Sequence, residues 1–245
     1  MPFLSSRHAL LALICLVNIA TGSVPSASAV GDGRDILRNI VTNCVDLHET
    51  DYCTRCFLPR IDSPCAHGRF CKDTTEIWRE TTDYVAIRDI KMCGCDSEFV
   101  HGLAIPRASV TGIEDPRRPD SIWKFAWDVA RTHIGNEDVI ALAVNPPSLR
   151  SQDQLHIHIV RLLPDARVRF TEARSMHLPS LIGIWSAAAG IASRAGLTDY
   201  GVLVTKNPEG DFLIVIEEKS PEKLFTRWDC HRSDGSQSDH DLAQP

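Results

Sequence analysis

The chain has 245 residues, of which 43% are hydrophobic and 24% charged, and a formal net charge of −6. That apolar content is ample for a packed core, which excludes a disordered or fibrous chain. The acidic balance argues against nucleic acid or a broad anionic surface as the main partner, so any phosphate site must be local.

Met1 to Ala29 has the pattern of a signal peptide. Arg7 and His8 precede an apolar run from Ala9 to about Ala20, and Ala27-Ser28-Ala29 fits a small-residue cleavage site. The run is short for a membrane span, although an uncut leader would tether the protein to the membrane it crossed. The remainder is expected to form one domain over 30–232, followed by a polar, disordered tail over 233–245.

Of nine cysteines, Cys15 leaves with the leader, and Cys44, Cys53, Cys56, Cys65, Cys71, Cys93, Cys95 and Cys230 remain. An even number in an exported chain suggests disulfides, concentrated in a cysteine-rich segment over 44–95, with the pairing left open. Cys53, Cys56, Cys93 and Cys95 have the spacing of a four-thiolate zinc site, but an oxidising compartment argues against it. Cys53 and Cys56 also have dithiol spacing, without the strand-then-helix context that makes one thiol reactive.

The first predicted element is an amphipathic helix over 34–48, with Ile36, Leu37, Ile40, Val41, Cys44 and Val45 at helical spacing. Residues 49–75 are polar and interrupted by prolines, and read as a disulfide-held loop. Strands follow over 83–89 and 98–106, forming a hairpin around Cys93-Gly94-Cys95. After the turn-rich loop from Thr111 to Pro119, a helix runs to about Ile134, with Trp123 and Trp127 four apart as core anchors. A buried strand is expected over 138–144, a tight loop over 145–150 and a central strand over 154–163. Residues 178–195 are apolar enough for a helix. A second hairpin over 199–206 and 211–217 turns at Asn207 to Gly210. Strands that follow through hairpins, with helices inserted rather than strictly alternating, predict an α+β domain on a mostly antiparallel sheet. No glycine-rich phosphate loop is present, since Gly31-Asp32-Gly33 follows no strand.

Candidate chemistry lies in Leu155-His156-Ile157-His158-Ile159-Val160. Period-two alternation puts both imidazoles on one face while Leu155, Ile157 and Ile159 face the core, with Gln152 and Gln154 sharing the histidines' parity. Such a pair can attack phosphorus, hold a metal, or hydrogen-bond internally. Attack by a neutral imidazole on a phosphodiester-type phosphorus gives a phosphohistidine that water later cleaves, and requires no cofactor. It does require a group that fixes the tautomer, donors for the phosphate oxygens and a proton source. Asn145, Arg150, Ser151, Gln152 and Gln154 are candidate substrate-binding residues within a dozen positions of His156. Taken singly, Asn145 and Ser151 read as turn formers and Arg150 as a surface charge.

The stretch from Ala141 to Ile159 resembles the active-site segment of the bacterial CDP-diacylglycerol pyrophosphatase family, a branch of the histidine-triad-like hydrolases. Ile36 to Val41 with Cys44, Asp83 to Asp89, Leu103 to Pro116, Ser121 to Trp127, and Tyr200 to Val204 with Cys230 are similar to its other elements, so the likeness runs along nearly all of the mature chain. The resemblance implies a histidine-triad-like fold, with an antiparallel sheet, flanking helices and here a disulfide-stapled N-terminal extension. It implies hydrolysis of CDP-diacylglycerol, or a related CDP-alcohol, to CMP and phosphatidate. His156 falls on the nucleophile, His158 on the assisting histidine, and Asn145, Arg150, Ser151 and Gln152 on the phosphate-contacting approach. Gln154 stands where relatives place the first histidine. An exported enzyme of this kind would be periplasmic or anchored at the outer face of the inner membrane, in peripheral contact with its surface. Apolar segments near Ile105, Trp123 and Leu178 are candidates to admit the acyl chains.

Two other readings draw on the same residues. A metal-dependent phosphohydrolase would use His156 and His158 as ligands, with His101, His133 or His177 completing the set. A non-catalytic exported protein would bind a nucleotide or lipid without turnover, a reading that rests on Gln154.

Overall fold

Among the described residues eight strands, β1 (Ile77–Glu80), β2 (Tyr84–Arg88), β3 (His101–Pro106), β4 (Ile140–Val144), β5 (Ile157–Arg161), β6 (Ser175–Leu178), β7 (Gly201–Lys206) and β8 (Phe212–Glu217), form one sheet in the order β1-β2-β3-β5-β4-β7-β8-β6, with every neighbouring pair antiparallel. The computed structural model describes residues 33–45, 77–92 and 95–230. The leader, the segment with Cys53, Cys56, Cys65 and Cys71, Cys93 and residues 231–245 lie outside the described residues, and with them the dithiol reading; the four-thiolate zinc reading is corrected at Cys95, whose sulfur is bonded to Cys230.

Both expected hairpins form, β2 with β3 and β7 with β8. Gly210, at φ 100°, supplies the left-handed residue that the second turn needs. The helices are α1 (Ile36–Asn39), α2 (Ile122–Ile134), α3 (Ile184–Ala195) and α4 (Pro221–Phe225). The first helix is shorter than its apolar periodicity suggests, and continues as a π-helical turn over Ile40–Cys44.

Four further elements differ from the sequence reading. β1 lies between the expected loop and the first expected strand, and β6 ends at Leu178, the first residue of the helix expected over 178–195. That helix begins only after Gly183, which takes φ 80° and donates its backbone N–H to Asp120 Oδ2 at 2.6 Å. α4 is a five-residue helix, too short to show a periodicity.

One face of the sheet buries Leu142, Val144, Ile157, Ile159, Val202, Val204, Ile214 and Ile216 against α2 and α3. Trp123 and Trp127 are core anchors there, Trp123 packing on Trp185 with ring centroids 4.7 Å apart. Ile105 is fully buried under α1 on the other face, and Trp123 is equally enclosed. Neither side chain itself presents a surface to an acyl chain. Among the described residues no helix is long and apolar enough to cross a membrane.

The second face carries two separate apolar patches. Leu37, Ile40, Val41 and Val45 pack on Val85, Ile87, Leu103 and Ile105 at one end. Ala141, Ala143, Val160, Leu203 and Val215 pack with Phe225 of α4 toward the other. Between the patches, strand parity brings Asp89, His101 and His158 to the same face, with His158 opposite both Leu103 of β3 and Ala143 of β4.

A disulfide joins Cys95 to Cys230, 135 residues apart, and ties the loop before β3 to the end of the described chain. Closing so long a loop restricts the unfolded chain. Replacing both cysteines by serine is expected to lower stability by about 2–4 kcal/mol, measured by urea unfolding of the paired variant against the parent protein.

Candidate functional site

His156 lies one residue before β5, where Leu155 N donates to Val110 O at 2.7 Å and holds the approach against the loop after β3. Its Nδ1 is 2.7 Å from the carbonyl oxygen of Gln154. A carbonyl only accepts, so Nδ1 carries the proton and Nε2 keeps its lone pair. Burial lowers the pKa of His156 from its ordinary 6.5, against the pull of the Gln154 carbonyl, Glu222 and Asp89. The ring is 8% exposed. A neutral, tautomer-fixed imidazole with a free Nε2 is what nucleophilic attack on phosphorus demands.

His158 faces a different environment. Its ring meets that of His156 edge-on, with centroids 4.8 Å apart. Its Nδ1 is 3.1 Å from His101 Nε2, and its Nε2 is 3.3 Å from Glu222 Oε2. Burial pushes the His158 pKa well down, Glu222 opposing it, and lowers that of His101 in the same way. His101 Nδ1 is 3.3 Å from the carbonyl oxygen of Trp228.

Glu222, on α4, organises this cluster although it is only 2% exposed. Lys91 Nζ donates to Oε1 at 2.6 Å, and Asn145 Nδ2 donates to Oε2 at 2.7 Å. Burial alone would raise its pKa, but His158, Lys91 and His101 outweigh that and hold the carboxyl below the usual range. Ser220 Oγ, which also accepts from Lys223 N at the start of α4, donates to Asn145 Oδ1 at 2.6 Å. Thus Asn145 spans the end of β4 and the start of α4.

Of the candidates named from the sequence, His156, His158 and Asn145 come together. Arg150 turns away, pairing with Glu114 at 2.6 Å and Asp153 at 3.0 Å. Gln152 accepts from Leu37 N and donates to Gly33 O, so it holds the N-terminal helix. Arg34 reinforces the same joint with two 2.7 Å bonds to Asp153, whose carboxyl it holds well below the usual carboxylate range. Ser151 is exposed in this turn. Gln154, 1% exposed, donates from Nε2 to both Pro106 O and Ala108 O at 2.9 Å. Its Oε1 has no hydrogen-bond partner among the described residues.

The third-ligand candidates separate clearly. His133 stacks on Trp78 and His177 pairs with Asp211, so neither joins the histidine cluster. Ligand-type atoms of Asp89, His101 and His158 do lie within 4.8 Å of one another, a group of metal-ligand type. His156 is not in that group. The close His101 to His158 approach and the ammonium of Lys91 beside Glu222 are those of a hydrogen-bonded network carrying its own cation.

No local sequence signal groups Asp89, Lys91 and Glu222 with His101. His101 has a legible signal, since it shares the parity of Leu103 and Ile105 on a buried strand. Lys91 lies in a short 3-10 turn and Glu222 in α4, where charged residues ordinarily face solvent.

Residues 73–188 match the family model described as CDP-diacylglycerol pyrophosphatase, a narrower span than the likeness expected along the mature chain. A probable CDP-diacylglycerol pyrophosphatase of Mycobacterium leprae is 42% identical over 74 residues, which is 25% of this chain and 27% of the relative. CDP-diacylglycerol pyrophosphatases of Mycobacterium bovis and Mycobacterium tuberculosis are 40% identical over 67 residues, 23% of this chain and 26% of each relative. The chain therefore aligns with about a quarter of the length of the curated relatives it matches. The matched segment contains Asp89, Lys91, His101, Asn145, His156 and His158, and ends before Glu222.

The two carbonyls held by Gln154 make a direct test of its structural part. Gln154→Glu keeps the shape but sets an acceptor against two acceptors, and is expected to destabilise the fold by about 2–3 kcal/mol, more than Gln154→Leu. Urea unfolding of the two variants ranks them.

Proposed function

We propose that this chain, whose residues 73–188 match the CDP-diacylglycerol pyrophosphatase family model, is a member of that family and hydrolyses the pyrophosphate bond of CDP-diacylglycerol to CMP and phosphatidate through His156. The observation that carries the reading is the 2.7 Å contact between His156 Nδ1 and the Gln154 carbonyl, which leaves Nε2 as the attacking atom. Nε2 forms a bond to the cytidine-side phosphorus, the bridging P–O bond breaks and phosphatidate departs. Water then attacks the same phosphorus and gives up a proton to the assisting His158, the P–N bond breaks with its electron pair returning to Nε2, and CMP is released.

The remaining residues have roles consistent with this chemistry. His158 assists from beside the nucleophile, while Asn145 is the candidate from the original set that sits within the cluster and has an amide to offer. Arg150, Ser151, Gln152 and Gln154 act in this account mainly by shaping the approach to His156. The reaction requires no cofactor, and the reading includes export by the 1–29 leader and peripheral contact with the inner-membrane surface, where a lipid pyrophosphate would be met. Soluble CDP-alcohols are the alternative substrates.

Purified protein is expected to release CMP from CDP-diacylglycerol in the presence of chelator, and His156→Asn to reduce the rate by about 10³-fold or more. Undiminished release by that variant would end the proposal, and abolition of wild-type activity by chelator would favour metal-assisted hydrolysis. The pH dependence follows from the same imidazole. Because burial lowers the pKa of His156 from 6.5, its neutral form persists below that pH, and kcat/KM is expected to fall only when the pH drops through the lowered value. An acid limb centred above 6.5 would contradict the assignment.

A further inference from the structure

Four groups lie in a row on the second face of the sheet: the Trp228 carbonyl, the imidazoles of His101 and His158, and the Glu222 carboxylate. The three gaps between them are 3.3 Å from Trp228 O to His101 Nδ1, 3.1 Å from His101 Nε2 to His158 Nδ1, and 3.3 Å from His158 Nε2 to Glu222 Oε2. Both ends of the row only accept. Each gap therefore needs a proton to become a hydrogen bond, and two neutral imidazoles bring two.

With two protons, one gap is left with acceptor facing acceptor. If the vacancy falls at Trp228, His101 donates to His158 and His158 donates to Glu222. If it falls at Glu222, both protons move along by one position, and the Asn145 amide, 3.5 Å from His158 Nε2, offers a weak donor instead. A third proton completes the row.

Burial opposes that addition at both rings, and the charges facing the pair work against the burial. Asp89 Oδ2 is 3.7 Å and Glu222 Oε1 3.4 Å from His101 Nε2, against the single ammonium of Lys91 on Glu222. His156 is the other titratable group beside His158. Two carboxylates and one ammonium leave one negative charge in a buried cluster, which a third proton on the imidazoles neutralises.

We infer that Glu222 is a positioning residue which, with the Trp228 carbonyl, makes His101 and His158 a single one-proton acceptor. Its part in catalysis rests on the function proposed above. There the pair takes up the proton that water loses when it cleaves the phosphohistidine: the O–P bond forms, the P–N bond breaks and the proton is held between the two imidazoles. Glu222 lies outside the segment that matches the family model, so the row is closed by the C-terminal part of this chain.

The test uses the full chain with histidine rings labelled with nitrogen-15, titrated by NMR from pH 4.5 to 8, and compares wild type with Glu222→Gln and Glu222→Asp. His101 and His158 are expected to titrate together in the wild type. Glu222→Gln preserves side-chain size but removes the counter-charge, and should move their shared midpoint down by about one unit or more. Glu222→Asp should recover part of the shift. In the CMP-release assay, Glu222→Gln should lower kcat about tenfold with KM within about threefold, and move the acid limb of kcat, which reports the pair once His156 carries the CMP group, toward lower pH. Independent titration of the two rings, or a midpoint and pH profile unchanged in Glu222→Gln, would overturn the inference. If wild-type protein releases no CMP, the function fails while the ring titration still decides whether the pair is one acceptor.

Discussion

A buried carboxylate is the constraint on which the second face of this protein depends. Glu222 is almost wholly removed from water, and an ionised carboxyl in that position is tenable only when its oxygens are met by donors. Lys91, Asn145 and His158 converge on it from the turn after β2, the end of β4 and the middle of β5. Because these groups come from three different parts of the sheet, α4 has one seat that satisfies its carboxylate. The Cys95–Cys230 disulfide ties together the two segments that flank this seat, and Cys95 Sγ itself lies 3.1 Å from Lys91 O. The polar seam between the two apolar patches is thus fastened by hydrogen bonds on the sheet side and by a covalent link at its edge.

This arrangement gives two histidines only two residues apart different chemical characters. His156 is paired with a backbone carbonyl, a fixed neutral acceptor, which keeps the ring's proton on Nδ1 and leaves the lone pair on Nε2. His158 is paired with a carboxylate at one nitrogen and an imidazole at the other, so both of its nitrogens are engaged. The same period-two alternation that puts both rings on one face also places Ile157 and Ile159 in the core, which fixes the register of β5. Slippage by one residue would bury the imidazoles under α2 and expose the isoleucines, so the hydrophobic pattern that builds the sheet also sets the direction of both imidazoles.

What could be read from the sequence follows from how local each signal is. The alternation from Leu155 to Val160, the turn at Asn207 to Gly210 and the paired tryptophans of α2 are contained within short windows, and each corresponds to an element of the structure. The late start of α3 depends on Gly183 meeting Asp120, more than sixty positions away, which no window reports. Nearness in sequence misled in one respect: Arg150 and Gln152 precede His156 closely, yet their bonds go to Glu114, Asp153 and the N-terminal helix. The converse holds for Glu222, 64 positions after His158 and in contact with it. A lone glutamate in a five-residue helix reads as solvated, and only the antiparallel order of β4, β5 and β7, together with the α4 that follows β8, brings it to the imidazoles.

Stereochemistry at phosphorus bears most directly on the central claim that His156 forms a covalent intermediate. A CDP-alcohol made chiral at the cytidine-side phosphorus with sulfur and labelled oxygen would be hydrolysed, and the configuration of the thio-CMP product determined. Two successive in-line displacements, first by His156 and then by water, predict net retention. Net inversion would mean that water attacks the substrate directly, and would contradict the account.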